Sequence, residues 1–215
     1  MTWQRARTDE KKNERKDVIY NAAFKLFKEK GYDGVSFNGI ASEANFTKSN
    51  MYRYFSSKEE IFLNVFADLF ELWVDDCTKR LKKLKLNTDV STFTKAWTKS
   101  LLSHQKFLDL TPLLFMSLEN NSSFEELISF KRLSMKLLYR ITLEISRIYP
   151  DVTNEEAFQF LTISYASMSS YWSATKQSDA LIKLYEQEEF QVLKPNFEKN
   201  IQVSTEIVMR GIINK

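Results

Sequence analysis

Between Thr47 and Lys58 the chain gathers side chains whose chemistry suits a nucleic-acid surface. Thr47, Lys48, Ser49, Asn50, Tyr52, Arg53 and Tyr54 would share the outward face of one short helix. Lys and Arg pair with guanine edges, Asn with adenine, and Ser or Thr with either. Tyrosine hydroxyls and helix N-terminal amides suit phosphate oxygens, and Lys58, opening the next helix, is placed for another phosphate. The blander alternative is an ordinary αα-hairpin with a polar outer face.

Charge favours the first reading. Residues 1–60 hold 12 Lys/Arg against 9 Asp/Glu, and residues 61–215 hold 19 against 19, so the whole excess of +3 lies at the front. Arg5, Arg7, Lys11, Lys12, Arg15 and Lys16 concentrate it. Local positive charge near a polyanion releases counterions and supplies salt-dependent affinity.

Other chemistries find no residues. One Cys (Cys77) and one His (His104) leave no structural zinc site, no disulfide framework and no spare Cys/His dyad. Four scattered Gly cannot form a dinucleotide fingerprint or a phosphate-cradling loop. No acid–base pair stands at a telling spacing, so neither an enzyme nor a cofactor or metal is expected. The longest apolar run, Leu113 to Met116, is too short for a membrane span. The first sixteen residues lack the apolar stretch of a signal peptide, which predicts a protein kept in a reducing cytosol.

The elements that must hold these residues are helices. Four Gly and three Pro are too few turn residues for a sandwich or a doubly wound sheet of 215 residues. From about Asp9 to Lys30, Val18, Ile19, Ala22, Ala23, Leu26 and Phe27 recur at helical steps, and Gly31 suits the position after the last turn. Ser36 can cap a helix over Phe37 to Glu43, with Ile40, Ala41 and Ala44 inward. Asn45 breaks it, since Asn tolerates a left-handed turn. Thr47 can cap Lys48 to Phe55. Ser57-Lys-Glu-Glu60 reads as a capping box opening a long helix to about residue 82, with similar boxes at Ser123–Glu126 and Thr153–Glu156. Segments near 89–109, 111–119, 124–148, 154–176, 178–187 and 196–213 follow, with Pro112, Pro150 and Pro195 at junctions. The prediction is an all-α protein of about nine to ten helices. An N-terminal three-helix helix–turn–helix domain spans 1–60 (1–8 a flexible arm), and a helical bundle spans 61–215.

The spacing over 36–55 is that of a helix–turn–helix, which presents its second helix to the DNA major groove. Leu26-Phe27, Lys30-Gly31-Tyr32, Ser36, Ile40-Ala41, Met51-Tyr52-Arg53-Tyr54-Phe55 and Ser57-Lys58-Glu59 resemble the DNA-binding domain of TetR-family transcriptional regulators. The resemblance covers about residues 12–66. It implies a homodimeric, all-helical repressor with a C-terminal ligand-binding domain that varies between members. It puts base contacts on Asn38, Lys48, Ser49 and Asn50, and phosphate contacts on Ser36, Phe37, Tyr52, Tyr54 and Lys58. Phe37 offers only a backbone amide or packing. Two departures are Asn45, where members usually have Gly, and Gly39 inside a helix, at about 1 kcal/mol relative to Ala.

Ala166, Ser167, Ser170 and Ala174, with Val203 and Ile207 of the last helix, are candidates for the dimer interface that the resemblance implies; otherwise the small residues pack within one subunit. Trp97, His104, Phe115, Tyr139, Tyr165, Met168 and Trp172 are candidates to line an apolar cavity; otherwise they are core. The implied partners are a double-stranded DNA operator, a second copy of the chain, and a small hydrophobic or aromatic effector. The effector would shift a population between two domain arrangements, with the fourth helix as lever. The rival is a protein of the same fold that is controlled by a protein partner, or has an architectural role, and takes no small molecule.

Overall fold

The computed structural model describes the backbone of residues 2–214 and the side chains of residues 13–214; Arg5, Arg7, Lys11 and Lys12 of the basic cluster therefore have undescribed side chains. The α-helices are α1 (Thr2–Lys30), α2 (Phe37–Glu43), α3 (Lys48–Met51), α4 (Lys58–Leu81), α5 (Val90–Leu102), α6 (Gln105–Leu110), α7 (Phe124–Ile148), α8 (Asn154–Ala174), α9 (Asp179–Leu184) and α10 (Phe197–Ile213). A π-helical segment, Leu114–Leu118, precedes α7, and a 3-10 turn, Glu188–Leu193, precedes α10. Among the described residues there is no strand. No helix is long and apolar enough to cross a membrane, and no group of three metal-ligating side chains occurs among them.

Several boundaries differ from expectation. Helix α1 begins at Thr2 rather than near Asp9, so the arm expected over residues 1–8 joins the helix, with Met1 outside the described residues. No Gly or Pro stands before Gly31 to stop it. The segment expected over 89–109 breaks at Ser103 and His104, where His104 leaves the helical region (φ −124°, ψ 55°). Helix α3 is regular only to Met51. Beyond it, Arg53 and Tyr54 donate to carbonyls three residues back, the tighter winding common at helix ends.

The chain separates into two compact units: residues up to Phe66 with Leu114–Phe130, and Ala67–Leu113 with Lys131–Lys215. In the first, Ile19, Ala23 and Leu26 of α1 bury against a core that includes Ile40, Met51, Phe55, Ile61, Phe62 and Phe66. Val18 turns outward instead, 48% exposed. Leu114, Leu118 and Phe130 are buried in the same unit, where Phe130 meets Phe66 edge to face at 5.9 Å.

Polar bonds make this insertion specific. The Glu60 carboxylate, on a residue only 5% exposed, accepts from the backbone N–H groups of Ser56 (2.8 Å) and Ser123 (3.1 Å). Ser57 caps α4 through Glu60 N–H, as a capping box requires, but Glu60 does not reach back to Ser57. It satisfies the N-terminus of α7 instead. Glu126, at the same position of α7, accepts from the Asn64 side chain at 3.0 Å. The box at Thr153 and Glu156 forms reciprocally. Ser117 donates to the Tyr32 hydroxyl, which donates to Glu59. Burial, with the Glu59 carboxylate nearby, pushes the Tyr32 phenol up to about 12.

In the second unit Trp73 stacks on Phe70 and Phe107 at 5.9 and 5.1 Å and meets Trp97 edge on at 5.4 Å. Each such ring contributes about 1.5–3 kcal/mol by burial. Arg147 donates to the carbonyls of Leu81 and Leu84 at the end of α4, satisfying groups a helix terminus leaves open. Cys77 is fully buried, and that burial raises its thiol to about 12, so it is a packing residue.

Burial by itself would raise the Glu60 carboxyl, but the bonds from Ser123 and Ser56 outweigh it and hold it below the usual value. A lowered carboxyl stabilises the fold above the unfolded value and stops doing so as pH falls through the folded one. Glu60→Gln is expected to lose about 2 kcal/mol at neutral pH. In urea melts the gap to the wild type should close below the ordinary glutamate range.

Candidate nucleic-acid interface

The geometry of the interface is set by one turn. Ser36 caps α2 by accepting from Gly39 N–H at 3.0 Å. At the other end Ala44 closes the helix and Asn45 takes φ +58°. Phe46 N–H then bonds to Ala41 C=O at 2.8 Å and Asn45 N–H to Ser42 C=O at 3.1 Å. These are the two bonds of a Schellman motif, with Asn in the place usually held by Gly. Thr47 follows at once and caps α3 through Asn50 N–H at 3.2 Å. The departure at Asn45 therefore leaves the turn complete. Buried Ile40, Ala41 and Ala44 of α2 and its end, with Met51 of α3, fill the angle between the helices, and Lys25 of α1 pairs with Glu43 at 2.6 Å.

Asn38, Lys48, Ser49, Asn50 and Tyr52 are all exposed. Tyr52 lies against Phe37 at 4.9 Å with Lys48 Nζ 5.9 Å from its ring. Tyr54 is half-buried, edge on to Phe46, and its hydroxyl accepts from Arg15 Nη1 at 3.2 Å. Ser36 and Thr47 spend hydroxyl lone pairs on capping, yet each O–H proton stays available as a donor.

Lys58 differs from the rest. Its ammonium donates to the carbonyls of Tyr32 (3.2 Å) and Val35 (3.0 Å) and sits 4.3 Å from the Tyr32 ring centre. Two of its three donors thus brace the loop after α1, and one remains. Arg15 is the member of the set that the candidate residues omitted. It belongs to the N-terminal basic cluster, and only folding shows that it meets Tyr54, 39 residues later.

The expected pocket residues differ in burial and in partners. Trp97 and Met168 are buried, whereas Phe115 and Tyr139 are 57% and 58% exposed. Phe115 belongs to the first unit. Tyr165 donates to Thr111 C=O, Trp172 donates to Asp109, and His104 Nε2 lies 3.4 Å from Asp76. Of the expected dimer residues, Ala166, Ser170, Ala174, Val203 and Ile207 are exposed and Ser167 is half-buried.

Two family models match. One described as bacterial regulatory proteins, tetR family, covers residues 19–65, and one described as tetracyclin repressor-like, C-terminal domain, covers residues 67–215. Among curated proteins, the biofilm operon icaADBC HTH-type negative transcriptional regulator IcaR of Staphylococcus epidermidis is 37% identical over 60 residues, 28% of this chain and 32% of that one. IcaR of Staphylococcus aureus is 45% identical over 47 residues, 22% and 25% of the two chains. The matches thus span about a third or less of those relatives. Solved structures align over nearly the whole chain. The fatty acid degradation regulator FadR from Bacillus halodurans has TM-score 0.58 at 15% identity, covering 92% of this chain and 96% of its own. The regulator PfmR from Thermus thermophilus has TM-score 0.56 at 18% identity, covering 90% and 97%. At these identities the likeness is one of fold.

A left-handed residue with a Cβ costs about 1–2 kcal/mol unless its side chain bonds locally. Asn45→Ala is accordingly expected to lower stability by about 1 kcal/mol, and Asn45→Gly to preserve the turn. Thermal unfolding of the two variants would distinguish them.

Proposed function

We propose, from the premise that this chain belongs to the TetR family of bacterial regulatory proteins, that it represses transcription by binding a palindromic operator as a homodimer. The observation that carries this reading is the completed turn at Asn45, which projects Lys48, Ser49 and Asn50 outward from a buried base at Met51. In this reading those three residues and Asn38 meet base edges. Tyr52, Tyr54, the Ser36 and Thr47 hydroxyls and the remaining Lys58 donor meet phosphates. Repression is carried over from IcaR, named a negative regulator, through likeness in this region alone.

A single short helix binds weakly, and two-fold symmetry lets two helices engage half-sites about 34–36 Å apart or at multiples of that. The outward faces of α8 and α10, which pack on each other, support such a pair. Small Ala166, Ser170 and Ala174 lie exposed on α8, and Val203 and Ile207 are 49% and 66% exposed on α10.

The effector reading rests on the second unit. Trp97 Nε1, Thr98 Oγ1 and Ser164 Oγ are buried without a hydrogen-bond partner among the described residues. Such groups cost about 1–3 kcal/mol each. An apolar or aromatic molecule with a polar handle would relieve that cost. It would release DNA only by its differential affinity for the arrangement that does not bind.

Selection from a random duplex pool is expected to return a palindrome. Lys48→Ala with Asn50→Ala should abolish the preference, and Asn50→Ala alone should relax one base pair per half-site by about 1–3 kcal/mol. A pool without enrichment would end this reading. Ile207→Ser, removing about 1.5 kcal/mol or more from each of two copies, should weaken dimerisation roughly 100-fold by sedimentation and reduce operator affinity with it.

A further inference from the structure

Beside the end of α3 the surface dips into a cup of about 190 Å³ lined by Arg15, Asn45, Phe46, Asn50, Arg53 and Tyr54. Two of these six carry guanidinium groups and none is acidic, so nothing in the lining neutralises the cations. Arg53 is exposed, and its guanidinium makes no hydrogen bond or ion pair among the described residues, its one bond being that of the backbone N–H to Asn50 C=O. Arg15, also exposed, spends one N–H on the Tyr54 hydroxyl and keeps the rest of its fork. Guanidinium presents five donors in a fixed plane, a geometry that matches phosphate oxygens two at a time.

The remaining lining is held in place. Asn45 is locked in the left-handed turn, and the Asn50 backbone is tied to Thr47. Phe46 and Tyr54 meet edge to face at 6.1 Å and form the apolar part of the wall. Like charges in a concavity with an apolar wall focus a positive field.

We propose that this cup seats one phosphate of the operator backbone, clamped between Arg15 of α1 and Arg53 just past α3. The proposal rests on the reading of α3 as the DNA-facing helix. A backbone phosphate is the occupant because Asn50, a base-reading candidate, lines the same cup, which puts the seat next to a contacted base. A phosphate carries no sequence information, so the clamp sets the register at which α3 enters the groove. It closes across two helices of one unit, and so it also fixes the angle of entry.

The test uses the full-length protein and measures affinity against salt, on the selected palindrome and on an unrelated duplex. Arg15→Gln and Arg53→Gln should each reduce the salt slope by about 1 per contact made and weaken both duplexes alike. Arg53→Lys should keep most of the slope while losing affinity, because charge survives and the fork does not. Replacing the seated phosphate with a neutral methylphosphonate should weaken the wild type and leave the double Arg variant unaffected. Thermal unfolding at wild-type temperatures would show that the variants fold. An unchanged slope in the double variant overturns the seat, as does a loss confined to one base pair. Inorganic phosphate bound at these arginines with the slope unaltered would move the seat from DNA to a free ion and overturn it too. The Lys48→Ala/Asn50→Ala variant separates the failures: if it loses sequence preference while the Arg variants keep their slope, only the seat is wrong.

Discussion

A carboxylate taken out of water survives as an anion only where donors meet its charge. Glu60 meets that condition with two backbone N–H groups from different parts of the chain, Ser56 before α4 and Ser123 before α7. One buried side chain therefore closes the end of the helix–turn–helix and draws in the stretch that opens α7. Asn64 with Glu126 and Tyr32 with Ser117 repeat the tie on either side. The helix–turn–helix unit is thus more than its three N-terminal helices. It includes a segment some fifty residues further along, and both α4 and α7 run past its boundary.

The turn works by the same economy of partners. The carbonyls of Ile40, Ala41 and Ser42 at the end of α2 are met by the N–H groups of Ala44, Phe46 and Asn45, and the next side chain, Thr47, already opens α3. Four residues of regular helix are too few to be stable alone. Helix α3 holds its direction because Met51 and Phe55 are buried beneath it and because it is capped at the start. A short, well-anchored element leaves its outward side chains free of structural duty. Lys58 shows the opposite case, since most of its donors are consumed in bracing the preceding loop.

In the second unit the same residue types do two different jobs. Trp73, Phe70 and Phe107 stack and Trp97 meets Trp73 edge on to form a core, while Tyr139 ends up exposed. Helical spacing places an aromatic on a face, but a core and a ligand cavity require the same apolar face. Pattern alone could not separate them.

Local chemistry was legible in the chain itself: the helical class, the caps at Ser36, Thr47 and Thr153, the left-handed Asn45, the junction prolines and the outward Lys48-Ser49-Asn50. Each depends on residues within about four positions of one another, where spacing dictates geometry. Folding decided what joins residues far apart. Arg15 meets Tyr54, the carboxylates of Glu60 and Glu126 leave their own caps for partners on another helix, and residues 114–130 join the first unit. A capping Glu has a near and a distant donor of similar chemistry, and only the packed chain determines which one is within reach.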